Sequence, residues 1–363
     1  MKKNKFKIAI IGCGRIAEHH CRAILKNNSL ELSAVSDIDL EKATRLGTEF
    51  DVPFFENYRT MLKLIPTIDV VAVITPSGMH FEQSKEMIST FKKSIVIEKP
   101  TVLKPSELME LQRLAEREKI KVFPVFQNRF NKAVQRVKKG LENGELGKIR
   151  LISVRVRWCR PQKYYDLSPW RGTYAMDGGC MTNQGIHHID LLRYLGGEVS
   201  EVNVKTQTMG ADIEVEDMAV GSLLFANKAL GSLEITTAAR PKDFEASISI
   251  IGSNGLAQIG GIAVNELQIY TPDENECLKN SEDFSDCVYG NGHEVLYEDI
   301  SQVLSNPTKE FIISPKDNLG TIKLLNSLYV SDEKKNWVNV DSSTESARLG
   351  KFDQDLFDLY RLK

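Results

Sequence analysis

The amino-acid sequence predicts two domains: a doubly wound parallel α/β sheet, followed by a largely antiparallel open sheet with helices on one face. The chain has 363 residues, more than one hydrophobic core usually supports. Its first half alternates short, continuously apolar runs with helix-length segments, as parallel strands buried on both faces do. In its second half apolar and polar residues alternate along longer runs, which is typical of a sheet with one solvated face.

The elements of the first half follow one another as strand and helix. The predicted strands are "KIAII", "LELSAVSD", "DVVAVIT", "SIVIEK" and "KVFPVF", and the helices between them are "AEHHCRAILKN", "LEKATRLGTEF", "MHFEQSKEMISTF" and "PSELMELQRLAEREK". An amphipathic stretch, "NKAVQRVKKGLENGELGK", ends in a glycine-bearing turn. We therefore place the domain boundary at Gly147, giving domains at residues 1–147 and 148–363.

Composition excludes several classes of function. A net charge of −2 offers no basic surface to nucleic acid or to an anionic membrane. The opening "MKKNKFKIAIIGCG" imitates a signal peptide, but glycine interrupts the apolar run too early, and no run elsewhere approaches the ~18 residues of a membrane span. The cysteines form no CxxC pair and indicate neither a metal site nor a redox motif. We expect a soluble cytoplasmic protein with free thiols at Cys13, Cys21, Cys159, Cys180, Cys277 and Cys287.

A glycine motif follows the first predicted strand. In "GCGRIA", Gly12 and Gly14 allow a tight turn and a close approach of the backbone to a pyrophosphate, and Arg15 and Ile16 lead into the next helix. Ala17 stands where a third glycine is common, a position that needs only a small side chain. This arrangement predicts a Rossmann dinucleotide-binding domain.

The second strand ends in Asp37, at the spacing expected of a carboxylate that binds the adenosine ribose. A carboxylate pairs with two free hydroxyls and repels a 2'-phosphate, so the sequence favours NAD over NADP. Lys42 and Arg45 follow closely enough to leave NADP open.

Two further motifs make the chain resemble the Gfo/Idh/MocA family of nicotinamide-dependent oxidoreductases. They are "VIEKP", residues 96–100, and "TPSGMH", residues 75–80, with "GIHHIDLL" in the second half. The resemblance implies that Lys99 contacts both cofactor and substrate and that His187 takes the hydroxyl proton. It also implies further cofactor contacts at Thr75, Pro76, Ser77, His80 and Glu98.

The stretch "NQGIHHIDLL" places two histidines side by side. If it is helical, Asn183, His187 and Asp190 share one face, and we expect Asp190, or a backbone carbonyl, to hold the second ring nitrogen of His187. His188 points away and is interpreted as structural, as are His19 and His20. The family often has aspartate where this chain has Asn183, which binds a sugar hydroxyl but accepts no proton. Lys99 and His187 then remain as the candidate proton acceptors.

An arginine- and aromatic-rich segment, "WCRPQKYYDLSPWRGTYAMDGG", precedes that helix. Such side chains recognise phosphates, carboxylates and ring faces, and the alternative for Tyr164 and Tyr165 is that they cover the core. Within the family the pattern resembles the branch that oxidises nucleotide-linked N-acetylglucosaminuronate at C3. We expect substrate contacts at Arg160, Gln162 and Tyr165, and closure over the cofactor by Trp170 and Arg171.

The sequence thus predicts an NAD-dependent dehydrogenase that oxidises C3 of UDP-2-acetamido-2-deoxy-glucuronate to a ketone, with no metal. Two alternatives remain open: a dehydrogenase of a free polyol such as inositol, and a regulator on the same scaffold that senses NAD or a sugar. The family resemblance implies a homodimer or homotetramer that forms through the open face of the second sheet.

Overall fold

The computed structural model describes residues 5–284, 289–306, 308–341 and 344–361. The chain forms two compact units, and each is assembled from separate stretches of sequence. The first unit contains the chain up to Val125, His293–Asn318 and the segment from Phe352 onward; the second contains Phe126–Gly292 and Leu319–Lys351. Within the described ranges no helix has the length and apolar character needed to cross a membrane.

The secondary structure elements are numbered in chain order. The strands are β1 (Phe6–Ile11), β2 (Leu30–Ser36), β3 (Phe54–Phe55), β4 (Val70–Val73), β5 (Ser94–Ile97), β6 (Val122–Pro124), β7 (Ile149–Arg157), β8 (Val199–Gln207), β9 (Met218–Phe225), β10 (Leu230–Thr236), β11 (Glu245–Gly252), β12 (Leu256–Gly260), β13 (Glu266–Tyr270) and β14 (Val338–Asn339). The helices are α1 (Ala17–Lys26), α2 (Leu40–Glu49), α3 (Tyr58–Leu64), α4 (His80–Ser89), α5 (Pro105–Glu118), α6 (Lys132–Glu142), α7 (Gln162–Tyr165), α8 (Ile186–Gly196), α9 (Asn275–Lys279), α10 (Gly292–Ser305), α11 (Pro315–Lys334) and α12 (Gln354–Tyr360).

The sheet of the first unit is parallel throughout, in the order β3-β2-β1-β4-β5-β6. Its central strands are mostly buried, and β4, Val70–Val73, is buried over its whole length. This explains why they read as continuous apolar runs. The order reverses between β1 and β4, which is where a doubly wound sheet binds its ligand. The predicted Rossmann fold is confirmed.

The sheet of the second unit has the order β13-β12-β11-β7-β10-β9-β8-β14. Its neighbouring strands pair antiparallel except β7 and β10, which run parallel. Alternate residues of β7, such as Val154 and Val156, are buried, and α8 packs on that side. Ser153 and Arg155 lie on the other face. The predicted, largely antiparallel sheet with helices on one face is confirmed.

The two units divide the chain differently from the boundary predicted at Gly147. Helix α6, expected in the first domain, belongs to the second unit because Arg136 pairs with Glu276 and stacks on Tyr270. Helix α10 returns to the first unit, where the hydroxyl of Tyr297 bonds Nδ1 of His20. The two observed units therefore differ from domains at 1–147 and 148–363. The alternation of apolar and polar residues along the chain does not indicate that a later helix packs on the first unit.

The thiols expected to be free are confirmed at Cys13, Cys21, Cys159, Cys180 and Cys277. Cys287 lies outside the described residues. Burial raises the pKa of the Cys21 thiol to about 12, so this side chain behaves as a small apolar group and not as a nucleophile.

Candidate active site

The strand register of the first unit determines where its candidate site lies. Ile11 pairs with Ser36 on one side and with Val73 on the other, and Val73 pairs with Ile97. These four residues end their strands in a single row. The loops that follow, which contain the glycine motif, Asp37, the Thr75 segment and Lys99, therefore all begin at one edge of the sheet.

The loop after β1 has the form of a phosphate-binding loop. Gly12 has φ +98°, and a Cβ atom there would lie 2.5 Å from the carbonyl oxygen of Ile74. A Cβ atom on Gly14 would meet nothing within 4 Å, so the backbone is bare on that side. Ile16 precedes α1 without any side-chain cap, and Arg15 is exposed. Uncapped amides beside an open backbone fit the pyrophosphate of a dinucleotide.

Asp37 lies half-buried at the end of β2 and helps to shape this loop. Its Oδ2 accepts the amide of Cys13 at 2.7 Å, and its Oδ1 accepts the amide of Asp39 at 2.9 Å. Each carboxylate oxygen has two lone pairs, so both can still accept a ribose hydroxyl. Lys42 pairs with Asp39 at 2.9 Å, so its charge already has a partner other than a 2'-phosphate.

Thr75, Pro76 and Ser77 are partly exposed at the end of β4, where a cofactor contact was expected. His80, predicted to contact the cofactor as well, is instead only 1% exposed. Its two ring nitrogens lie 2.8 Å from the carbonyl oxygen of Pro100 and 2.9 Å from that of Thr75. The side chain of His80 therefore faces the protein interior, and the expected cofactor contact stays a prediction.

Glu98 and Lys99 follow β5 with different environments. Lys99 is partly exposed, whereas Glu98 is buried and accepts the amide of Lys99 at 3.0 Å. Glu98 also accepts Nε2 of His20 at 3.0 Å, and Nε2 of His293 lies 3.6 Å away. Burial favours the protonated acid, but the hydrogen bond from His20 and the nearby ring of His293 hold the pKa of Glu98 well below its ordinary value. Glu98 thus anchors the start of the loop from the interior, and the cofactor contact expected of it stays a prediction.

In the second unit, α8 begins at Ile186, one turn later than the sequence suggested. Asn183 therefore precedes the helix, and its Nδ2 donates to Asp177. The predicted alignment of Asn183 with His187 on one helical face is wrong, because Gly178, with φ +68°, folds this segment into a series of turns. Asn183 is still only half-buried.

His187 lies on α8 and is 7% exposed. Its Nε2 lies 3.3 Å from Nε2 of Gln127, and its ring meets Phe126 edge-on. Asp190, expected to hold His187, forms a buried bidentate ion pair with Arg129 at 2.6 and 2.7 Å instead and also accepts Thr321 at 2.7 Å. The sequence missed Gln127 and Arg129 because no local pattern marks their side chains.

His188 has the structural environment that was expected. It is fully buried and packs edge-on against Trp158, with ring centroids 5.7 Å apart. Burial lowers the pKa of His188 to about 4, so the ring is neutral at physiological pH.

The predicted substrate residues have unequal environments. Gln162 is exposed but donates to Asp166 and accepts the amide of Asp212. Tyr165 is buried against Thr237, which favours its core-covering interpretation. Arg160 remains partly exposed and donates to Asp243 at 2.8 Å.

The guanidinium of Arg171 lies between two aromatic rings. It is 4.4 Å from the ring centre of Tyr164 and 4.5 Å from that of Trp170, and it donates to the Tyr164 hydroxyl at 2.6 Å. The stack fixes a positive charge next to half-buried aromatic rings, an arrangement that suits an anionic ligand with a ring face.

A buried carboxyl group lies behind the segment that leads into α8. Glu216 accepts the Tyr329 hydroxyl at 2.8 Å and the amide of Met181 at 3.2 Å, and a Cβ atom on Gly179 would touch its carboxyl carbon. Burial raises the pKa of Glu216 from 4.5 to about 7. The segment therefore rests on a group that ionises close to neutral pH.

Comparison with known proteins identifies both units. Residues 6–126 match the model of the oxidoreductase family with an NAD-binding Rossmann fold, and residues 134–258 match that of the GFO/IDH/MocA C-terminal domain. A myo-inositol 2-dehydrogenase of Thermotoga maritima is 26% identical over 275 residues, 74% of this chain and 78% of the relative.

Two solved structures resemble the chain over most of its length. The WlbA dehydrogenase from Bordetella pertussis, in complex with NADH and UDP-GlcNAcA, has a TM-score of 0.88 at 31% identity, covering 93% of this chain and 99% of that one. The WlbA enzyme from Chromobacterium violaceum, with the same two ligands, has a TM-score of 0.85 at 32% identity, covering 93% and 97%.

The two glycines of the phosphate loop should respond differently to alanine. Gly12→Ala should destabilise the free protein by about 1–3 kcal/mol, because the methyl group meets the Ile74 carbonyl and φ is unfavourable. Gly14→Ala should leave the free protein unchanged and raise the Kd for NAD at least about tenfold, because its methyl group fills only the space above the backbone. Thermal unfolding and calorimetric titration measure the two effects. Normal NAD binding by Gly14→Ala would show that the pyrophosphate binds elsewhere.

Ionisation of Glu216 should weaken the second unit above neutral pH. The pKa of Glu216 is higher in the folded than in the unfolded chain. The protonated acid therefore contributes its full stabilisation of the folded state below about pH 4.5, and this contribution is lost as pH rises through about 7. Between pH 5 and 8 the free energy of unfolding of the native protein should fall by about 2–3 kcal/mol because of this residue. That fall should be absent in Glu216→Gln and should persist in the control Glu201→Gln on β8. Denaturation followed by tryptophan fluorescence reports on this unit, because Trp158, Trp170 and Trp337 all belong to it. An unchanged pH dependence in Glu216→Gln would contradict the assignment.

Proposed function

Because the chain belongs to the Gfo/Idh/MocA family of NAD-binding oxidoreductases, we propose that it oxidises C3 of UDP-2-acetamido-2-deoxy-glucuronate to a ketone. The observation that carries this proposal is the likeness, above 30% identity over 93% of the chain, to two dehydrogenases solved with NADH and UDP-GlcNAcA. The coarser conclusion rests on the whole family: the chain is an NAD-dependent dehydrogenase that acts on a CH–OH group.

The proposed chemistry needs a proton acceptor. Bound NAD supplies the hydride acceptor, and the protein must remove the hydroxyl proton and orient the sugar. Lys99 carries an amine at the edge of the first sheet, and His187 carries an imidazole whose Nε2 faces Gln127. Asn183 offers a hydrogen bond but no basic group. We assign proton transfer to Lys99 and His187 and substrate binding to Asn183.

The charges of the second unit favour a nucleotide sugar over a free polyol. A UDP-uronate carries a diphosphate and a carboxylate, which planar guanidinium groups bind in a bidentate manner. Arg160 is partly exposed, and Arg171 is held between Tyr164 and Trp170. An uncharged polyol has no anionic group with which either cation could form an ion pair. The inositol dehydrogenase among the relatives keeps a polyol as the second candidate substrate.

A second copy of the chain is the proposed partner of the open sheet face. Neighbouring strands align a row of small polar side chains across that face: Ser249, Ser153, Ser232, Ser222 and Asn203. None of these residues is fully buried in the single chain. Such a flat, self-complementary surface suits a two-fold contact, and we propose a homodimer or homotetramer formed through it.

A substrate panel tests the proposed activity. With NAD present, UDP-2-acetamido-2-deoxy-glucuronate should yield NADH and a 3-keto product, detected by absorbance and mass spectrometry. UDP-N-acetylglucosamine, which lacks the carboxylate, should react at least about tenfold more slowly, since a charge-assisted bond is lost. Free myo-inositol serves as the comparison, and preferential oxidation of inositol would replace the nucleotide-sugar assignment.

The adjacent histidines of α8 provide a matched pair of variants. His187→Asn should lower kcat at least about tenfold and remove an ionisation from the pH–rate profile, with Lys99 sustaining residual turnover. His188→Asn should cost around 1 kcal/mol of stability and little rate, because that ring is buried against Trp158. Kinetics across pH and denaturation measure the two effects. A kinetic defect that follows His188 would overturn the assignment.

A further inference from the structure

His80 is buried between two loops of the first unit that the proposed cofactor site depends on. It is 1% exposed and begins α4. Nδ1 lies 2.8 Å from the carbonyl oxygen of Pro100, and Nε2 lies 2.9 Å from that of Thr75. Thr75 follows β4 and Pro100 follows Lys99, so a single imidazole spans the ends of two adjacent strands.

Both partners of this imidazole are obligate acceptors. A carbonyl oxygen has no hydrogen to donate, and a neutral imidazole has only one N–H. In a neutral ring, the lone pair of the second nitrogen would face a carbonyl lone pair at hydrogen-bond distance. Only the imidazolium donates to both oxygens. Burial is the largest influence and lowers the pKa of His80 below its ordinary value; the two carbonyl acceptors and the charge of Glu98 oppose that shift, and Lys99 adds to it. The case for the imidazolium therefore rests on the geometry of the two acceptors.

The charges near His80 come from the residues after β5. Glu98 acts on it as an anion and Lys99 as a cation. Glu98 is kept ionised by His20 of α1 and His293 of α10, so a buried negative charge is available to balance an imidazolium. His20, Glu98 and His293 also have the side-chain types of a metal site. Both ring nitrogens of His20 and both oxygens of Glu98 are already engaged in hydrogen bonds, which favours a charge network.

We propose that His80 is held as an imidazolium, which ties the end of β4 to the turn after β5 and thereby positions the backbone of Lys99. His80 is a positioning residue in this account, since it acts through Lys99 and lies in the interior. The positioning role rests on the proposed function, in which Lys99 transfers a proton. The charge state of His80 is independent of that function.

Nitrogen NMR of the full chain, with ¹⁵N-labelled histidine and no ligand, tests the charge state. His80 should show two protonated ring nitrogens at pH 7.5, whereas His188 should show one protonated and one unprotonated nitrogen. The His80 signals are identified by their loss in His80→Gln or, if that variant does not fold, by sequential assignment of the native protein. An unprotonated ring nitrogen in His80 at pH 7.5 would overturn the proposal, whatever substrate the enzyme uses.

Kinetics of His80→Gln test the positioning role. Glutamine donates from one nitrogen only, so it can bond one carbonyl but cannot tie both loops. We expect kcat to fall about tenfold or more while the Kd for NAD stays within about threefold, because the loss concerns alignment at Lys99 and not the phosphate loop. Glu82→Gln, which removes a surface ion pair with Arg361 on the same helix, is the control and should keep the native kcat.

Two outcomes separate this inference from the proposed function. An imidazolium at His80 with unchanged kcat in His80→Gln would refute the positioning role and leave the charge state intact. If the native protein turns over no nucleotide sugar, the proposed function fails, and the NMR measurement still decides the charge of His80.

Discussion

Parallel pairing of β2, β1, β4 and β5 is the constraint on which the first unit depends. Their register ends four strands in one row, so four loops leave the sheet at the same edge. Apolar packing fixes the strands, and apolar loop residues such as Cys13, Ile74 and Met79 are buried as well. Polar side chains also hold the loops: Asp37 accepts the amide of Cys13, His80 spans two carbonyl groups, and Glu98 accepts the amide of Lys99. In each case a side chain bonds to the backbone of a loop, and Asp37 and His80 thereby connect one loop to the next.

Whether a buried carboxyl group of this protein is ionised depends on the side chains that contact it. Glu98 lies between two histidines, and Asp190 is held by the bidentate guanidinium of Arg129, so each negative charge is compensated. Glu216 accepts only a hydroxyl and an amide, and burial raises its pKa to about 7. A buried ion without a partner is costly enough that the acid keeps its proton. The same residue type therefore serves as a fixed charge in one unit and as a titrating group in the other.

The features of the site that depend on residues close together in the sequence could be predicted from the sequence. The open backbone at Gly14 and the carboxylate at Asp37 follow from short-range spacing, and both appear where expected. The errors concern residues whose partners are distant in sequence. Asp190 was matched with His187 by helical phase, but Thr321 and Arg129 approach it from other elements. Helical phase tells which residues share a face and says nothing about what packs there.

Burial posed a similar difficulty for the motif residues. "TPSGMH" and "VIEKP" mark a loop edge correctly, yet His80 and Glu98 within them point inward. A motif does not distinguish a residue that contacts a ligand from one that holds the loop in place. Burial distinguishes them: Asp37 is only half-buried although both of its oxygens accept amides, whereas His80 is 1% exposed and both of its ring nitrogens face carbonyl oxygens.

The return of α10 to the first unit has a consequence for synthesis on the ribosome. Glu98 and His20 are made early, but His293 and Tyr297 emerge only after nearly all of the second unit. Until then the nascent NAD-binding unit has a buried carboxylate with one of its two histidines missing. Its core closes late, across a loop of about 270 residues, and long loops of this kind slow folding. The first unit can therefore be completed only after most of the second has been synthesised, although the two described sheets share no strand.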